Sequence, residues 1–114
     1  MDTCANQKLV KEIKEVIDCN IYAVESVEQL AREFAISSGY MKNIFKKNTG
    51  ITVFDYLFEK RMNEAKYLLE YSDLKVYEIA EKLGYKSSAF FSRAFQKNMG
   101  ITPSEYRKQK ANQV

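Results

Sequence analysis

The sequence predicts an all-α fold with two tandem helix-turn-helix subdomains joined by a long central helix. Three observations carry this expectation. Helix breakers are scarce, with 4 glycines and 1 proline among 114 residues, so good helix formers run almost uninterrupted. Apolar residues recur at helical spacing from end to end. The segment 37–56, SSGYMKNIFKKNTGITVFDY, returns as 87–106, SSAFFSRAFQKNMGITPSEY, and such self-similarity marks a repeated structural unit.

Taken in chain order, Leu9, Val10, Ile13, Val16 and Ile17 predict an amphipathic helix over about 7–19 that covers the first unit. Val27, Leu30, Ala31 and Phe34 predict a short second helix, and Ser26 with Gln29 three residues on reads as its capping box. The small-residue turn AISS leads to a third helix with Met41, Ile44 and Phe45 inward, ending at Gly50, where a left-handed C′ residue is wanted. Thr52 and Asp55 weakly signal the next start. A long helix over about 53–71 then carries the stripe Phe54, Leu57, Phe58, Met62, Ala65, Leu68 and Leu69. At 1.5 Å per residue it is roughly 28 Å long, close to the about 34 Å between successive major-groove faces of B-DNA.

The second unit repeats the first: Val76, Ile79, Ala80 and Leu83, the turn GYKSS, then Phe91, Ala94 and Phe95 running to Gly100. Lys75 is a poor N-cap for its first helix, which points to Asp73 instead. Thr102, Pro103 and Glu105 give the last helix an N-cap, a proline at N1 and an acid at N3. The copies match at an offset of 50 in their second helices and of 49 in their first, so one residue has been added in the turn. The expected division is 7–51 for the first subdomain, 52–71 for the linking helix, 72–108 for the second subdomain and 109–114 for a tail.

Composition narrows the function. No histidine is present, so no Ser–His or Cys–His nucleophile pair can form. There is no Gly-rich phosphate loop. Two cysteines without histidine cannot make a four-ligand Cys/His zinc site, and free thiols are expected at Cys4, in a frayed end, and at Cys19. The expectation is therefore no enzyme, no metal and no cofactor. With no apolar run of about 20 residues and no leader pattern, no membrane association is expected; the expected location is the cytoplasm, at the nucleoid.

Charge distribution is more telling than the net +3. The windows 37–48 and 86–98 hold Lys42, Lys46, Lys47 and Lys86, Arg93, Lys97 without a single acid, so the rest of the chain sums to −3. Positive potential thus concentrates on two candidate recognition helices, where phosphate neutralisation requires it. Lys42 can donate to guanine and Asn43 can pair with adenine. Ser88, Ser92 and Arg93 take the equivalent face in the second copy, Arg93 being the best guanine reader. Gly39 and Ala89 permit close approach or a thymine-methyl contact. Lys46, Lys47, Lys86, Gln96 and Lys97 read as phosphate contacts, which position without specifying. Arg61 either snorkels from the linking helix or, the preferred reading, reaches a phosphate between the two heads. Phe90, beside the core residue Phe91, either shields a sugar-phosphate contact or seals the unit's edge. The competing reading is a helical protein-interaction module that no longer binds DNA; acids in the basic windows would mark it.

Residues 79–107, IAEKLGYKSSAFFSRAFQKNMGITPSEYR, and 61–74, RMNEAKYLLEYSDL, resemble the AraC/XylS family of bacterial transcription regulators, and the likeness extends over about 8–108. The resemblance implies seven helices, double-stranded DNA as partner, both recognition helices in successive major grooves of an asymmetric site, and commonly activation through RNA polymerase. It implies base contacts at Gly39, Lys42, Asn43, Ser88, Ala89, Ser92 and Arg93, and backbone contacts near Ser37, Lys46, Lys47, Ser87, Lys97 and Thr102. Gln96 departs from the family's usual basic residue, and Gly39 leaves fewer base contacts to the first unit. Most members carry an added N-terminal sensor or receiver domain, so the expectation is either a free-standing regulator or, preferred from the helix near the start, the C-terminal piece of a larger one.

Overall fold

Each hydroxyl expected to begin a helix does so. In the computed structural model residues 3–112 are described, with side chains from Ala5 onward; the side chain of Cys4 and the last two tail residues lie outside the described residues. Helices α1 (Thr3–Cys19), α2 (Val27–Glu33), α3 (Ser38–Thr49), α4 (Val53–Tyr71), α5 (Val76–Lys82), α6 (Ser88–Met99) and α7 (Pro103–Ala111), with a 3-10 turn over Ile21–Ala23, make up the secondary structure, and among the described residues there is no strand. Ser26, Thr52 and Thr102 accept from the backbone N–H of Gln29, Asp55 and Glu105 at 3.0, 2.9 and 3.1 Å. At Thr102 the box is complete, because Thr102 N–H donates to Glu105 Oε1 at 2.9 Å. At Ser26 it is displaced by one residue, since Gln29 Oε1 accepts from Glu25 N–H. The helix expected to start from Asp73 starts from Lys75, whose N–H donates to Glu78 Oε1 at 2.8 Å; the carboxylate supplies the cap that the lysine side chain cannot.

The repeat survives in the backbone. α2 and α5 have 7 residues each, α3 and α6 have 12. After α2, Ile36 N–H donates to Ala31 O and Ala35 N–H to Arg32 O; after α5, Tyr85 N–H donates to Ala80 O and Gly84 N–H to Glu81 O. Both are Schellman closures, and both put their C′ residue in the left-handed region, Ala35 at φ 58° and Gly84 at φ 84°. In copy one Ser37 follows Ile36 directly as N-cap of α3; in copy two Lys86 intervenes before the N-cap Ser87. Lys86 is therefore the residue added to the second turn.

The chain divides into two compact units, Met1–Lys60 and Arg61–Val114, with the boundary inside α4. In the first, Ile13, Ile17, Leu30, Met41, Phe45 and Val53 are fully enclosed. In the second, Met62, Leu69, Ile79, Phe91, Phe95 and Pro103 play that part. Identical residues make equivalent ring contacts: Phe45 against Tyr56 at 5.4 Å, Phe95 against Tyr106 at 5.6 Å. The first turns of α4 thus do in unit 1 what α7 does in unit 2.

Some expected core positions differ. Phe54 is 65% exposed, because Val53, one helical turn before Leu57, takes the inward seat. Val16 lies at the rim, while Ile21 and Val24 beyond α1 complete the core. Phe34, Phe58, Val76 and Ala94 are half-buried. α7 continues to Ala111, past the end expected at 108. Cys19 is an exposed free thiol. Among the described residues no helix is long and apolar enough to cross a membrane, and no His/Cys/Asp/Glu cluster could hold a metal.

Candidate DNA-binding surface

Each candidate recognition helix is started by a serine that the sequence marked only as a possible backbone contact. Ser37 Oγ accepts from Tyr40 N–H at 3.1 Å and Ser87 Oγ from Phe90 N–H at 3.0 Å. Because these oxygens act as acceptors, their hydroxyl protons are what a phosphate would receive. Thr102 Oγ1 likewise accepts from Glu105 N–H at the start of α7, and its hydroxyl lies beside the Glu105 carboxylate.

In α3 the inner face is Met41, Ile44 and Phe45, and the outward face presents Gly39, Lys42, Asn43, Lys46 and Lys47, all exposed. Positions 39, 42, 43 and 46 follow the i, i+3, i+4, i+7 rule for a single helix face. A Cβ at Gly39 would meet nothing within 4 Å, so the space there is open. In α6 the inner face is Phe91 and Phe95; Ala89, Arg93, Gln96 and Lys97 are exposed, and Ser88 and Ser92 half-buried. Lys86 is exposed in the turn. Lys46, Lys47 and Lys97 occupy the last turns of their helices, where the helix dipole favours a cation.

Two features were not read from the sequence. Window 37–48 contains no acid, yet Glu28 of α2 places Oε2 3.8 Å from Lys42 Nζ, so part of the local positive field is offset by a neighbour in space. Both side chains are largely solvated, which keeps such a pair weak, about 0–1 kcal/mol. In α6, the Arg93 guanidinium carbon lies 5.9 Å from the centre of the Phe90 ring. That pair does have a sequence signal, an aromatic three residues before an arginine on one helix.

Arg61 differs from the lysines. It is half-buried, and burial lowers its pKa while the nearby Tyr85 raises it. Tyr85 is itself held above its ordinary range by burial, with Arg61 opposing. The Arg61 guanidinium is thus embedded in the fabric of unit 2, unlike the exposed cations of α3 and α6. A second arginine is structural. Arg107 of α7 donates from Nε to Leu69 O at 2.9 Å and from Nη2 to Leu68 O and Ser72 O at 3.3 and 3.2 Å, closing the C-terminal end of α4.

Residues 30–109 match the family described as a helix-turn-helix domain. A crystal structure of a transcriptional regulator with an AraC-type DNA-binding domain, from Chromobacterium violaceum, superposes with a TM-score of 0.78 at 27% identity, covering 94% of this chain and 96% of that one. The chain belongs to the AraC/XylS family. Among AraC/XylS-like relatives, the HTH-type transcriptional regulator YijO of Escherichia coli (strain K12) is 38% identical over 109 residues, which are 96% of this chain and 38% of that protein. The chain thus spans well under half of that relative's length. The DNA-binding domain of AdpA, solved in complex with a target DNA, has a TM-score of 0.82 at 26% identity and covers 91% of this chain and 94% of that one.

Proposed function

We propose that this chain binds double-stranded DNA sequence-specifically as the DNA-binding domain of a bacterial transcription regulator, with α3 and α6 in successive major grooves. The observation that carries the reading is the pair of matched, serine-capped helices whose outward faces are exposed, cationic and free of acids in their own segments. The DNA-bound AdpA domain, similar in fold over nearly its full length, supports it. Lys42, Asn43 and Arg93 read base edges, with Gly39, Ser88, Ala89 and Ser92 lining the approach. Lys46, Lys47, Lys86 and Lys97, with the hydroxyls of Ser37, Ser87 and Thr102 and the amide of Gln96, hold phosphates. Half-burial leaves Arg61 the least favoured of the phosphate contacts. By resemblance the regulator activates transcription, with RNA polymerase and an N-terminal sensor or receiver domain as further partners.

Salt separates this reading from a protein-interaction module. Four phosphate-bound lysines give a log–log slope of affinity against salt of about −3 to −4. A fluorescence-anisotropy titration of the chain with a mixed-sequence duplex, from low to physiological salt, measures it. A slope near zero would favour a helix docked in a protein groove.

A further inference from the structure

Four aromatic side chains of unit 2 form a tilted stack that ends on a cation. Phe95 and Phe91, both fully buried, have ring centres 6.0 Å apart; Tyr85 lies 5.3 Å from Phe91, and Phe90 6.4 Å from Tyr85. The Arg93 guanidinium is at 5.9 Å from the Phe90 ring centre. Phe90 is nevertheless 56% exposed, so its outer surface is open at the same face as Arg93.

Unit 1 is built differently at the matching places. Tyr40 occupies the position of Phe90, but its hydroxyl donates to Asn6 Oδ1 of α1 at 2.9 Å. Asn43 occupies that of Arg93, and Ile36 that of Tyr85. The stack is therefore not a general requirement of the repeat. It occurs in the unit that carries the arginine.

We propose that Phe90 is a positioning residue for base recognition: its ring, anchored through Tyr85 to the core of unit 2, carries the Arg93 guanidinium and sets the guanine preference of α6. Physically, an arginine on a helix surface samples many rotamers, and ordering it at a base edge costs entropy. A ring that attracts the planar cation narrows the distribution before DNA arrives. The inference rests on Arg93 being a base-reading residue.

The test uses the full chain with the duplex most enriched from a random pool, the same duplex with each guanine replaced in turn, and a mixed-sequence duplex. Phe90→Ala is expected to weaken the enriched duplex by about two- to fivefold, the range of an exposed cation–π pair, and to reduce discrimination at the base pair where Arg93→Ala does. Mixed-sequence binding and the melting temperature stay close to wild type. Phe90→Leu, similar in bulk but without a π face, behaves as Phe90→Ala, whereas Phe90→Tyr restores binding. In an Arg93→Ala background, Phe90→Ala adds nothing. A Phe90→Ala loss that persists without Arg93 would show the ring touching DNA itself and overturn the inference. So would unchanged discrimination in Phe90→Ala beside lost discrimination in Arg93→Ala. If Arg93→Ala leaves discrimination intact, the base-reading role fails first and the positioning role with it.

Discussion

Replacing Arg107 by methionine removes the guanidinium and keeps much of the apolar stem. The side chain donates to three carbonyls at the end of α4, the shortest bond being 2.9 Å to Leu69 O. Leu68 O keeps other partners, since it also accepts from Ser72 N–H and from Ser72 Oγ at 3.0 and 2.7 Å. Two acceptors, Leu69 O and Ser72 O, thus lose the donor that Arg107 supplies. Hydrogen bonds to a charged group contribute about 1.5–3 kcal/mol each when well formed. The site is half-buried and the Nη2 bonds are long, so solvent recovers part of this loss. A cation at a helix C-terminus contributes about 0.3–1 kcal/mol more. The expected destabilisation is about 2–3 kcal/mol, a fall in melting temperature on the order of 10 °C for a chain of this size. Arg107→Lys, with a point charge in place of the fork, recovers about half. Urea unfolding followed by circular dichroism reads both variants. A change below about 0.5 kcal/mol in Arg107→Met, at unchanged slope against urea, would refute the reasoning that these bonds close α4.

Three further outcomes follow from particular positions. Ala35 sits at φ 58° where its repeat counterpart is Gly84, so Ala35→Gly is expected to stabilise by about 0.5–1 kcal/mol, the left-handed strain relieved less the added chain entropy. Gly84→Ala destabilises by about 1 kcal/mol on strain alone, since a Cβ there meets nothing within 4 Å; thermal melts check both. Glu28→Gln frees Lys42 and removes an acid beside α3, so DNA affinity at low salt rises about two- to fivefold, and the gain shrinks as salt is added. Glu105 has its pKa lowered from 4.5 by the Thr102 backbone N–H and then by the Thr102 hydroxyl. Its contribution to stability is present above about pH 4.5 and is lost as pH falls through the lowered value. Acid titrations of wild type and Glu105→Gln should therefore diverge above that window and converge below it.

Local features were legible in the sequence because their causes are local. The capping residues Ser26, Thr52 and Thr102, the glycine ends at Gly50 and Gly100 and the helical stripes depend on neighbours within a turn or two. The repeat also exposed the added residue of the second turn, although only the backbone identifies it as Lys86. What escaped depends on the third dimension. Phe54 and Val53 compete for one inward seat, and both fit the helical period. Asp73 looked the better cap than Lys75 because the actual acceptor, Glu78, lies inside the helix. Glu28 reaches Lys42 from a different helix, beyond any charge count along a window. Arg107 belonged to a stretch that resembles a known family, but its carbonyl partners lie more than 30 residues away in sequence. At the candidate site, the residue types and their outward face were readable; the Phe90 platform was visible as a spacing only, and the half-burial of Arg61 only as the less favoured, snorkelling alternative.

Selection of bound duplexes from a random pool, at about physiological salt where non-specific binding is weak, tests the central claim most directly. An asymmetric site with two short boxes about one helical turn apart, a guanine within the box read by α6, is the predicted result. Failure to enrich any sequence, with binding that is weak and indifferent to base composition, would contradict it.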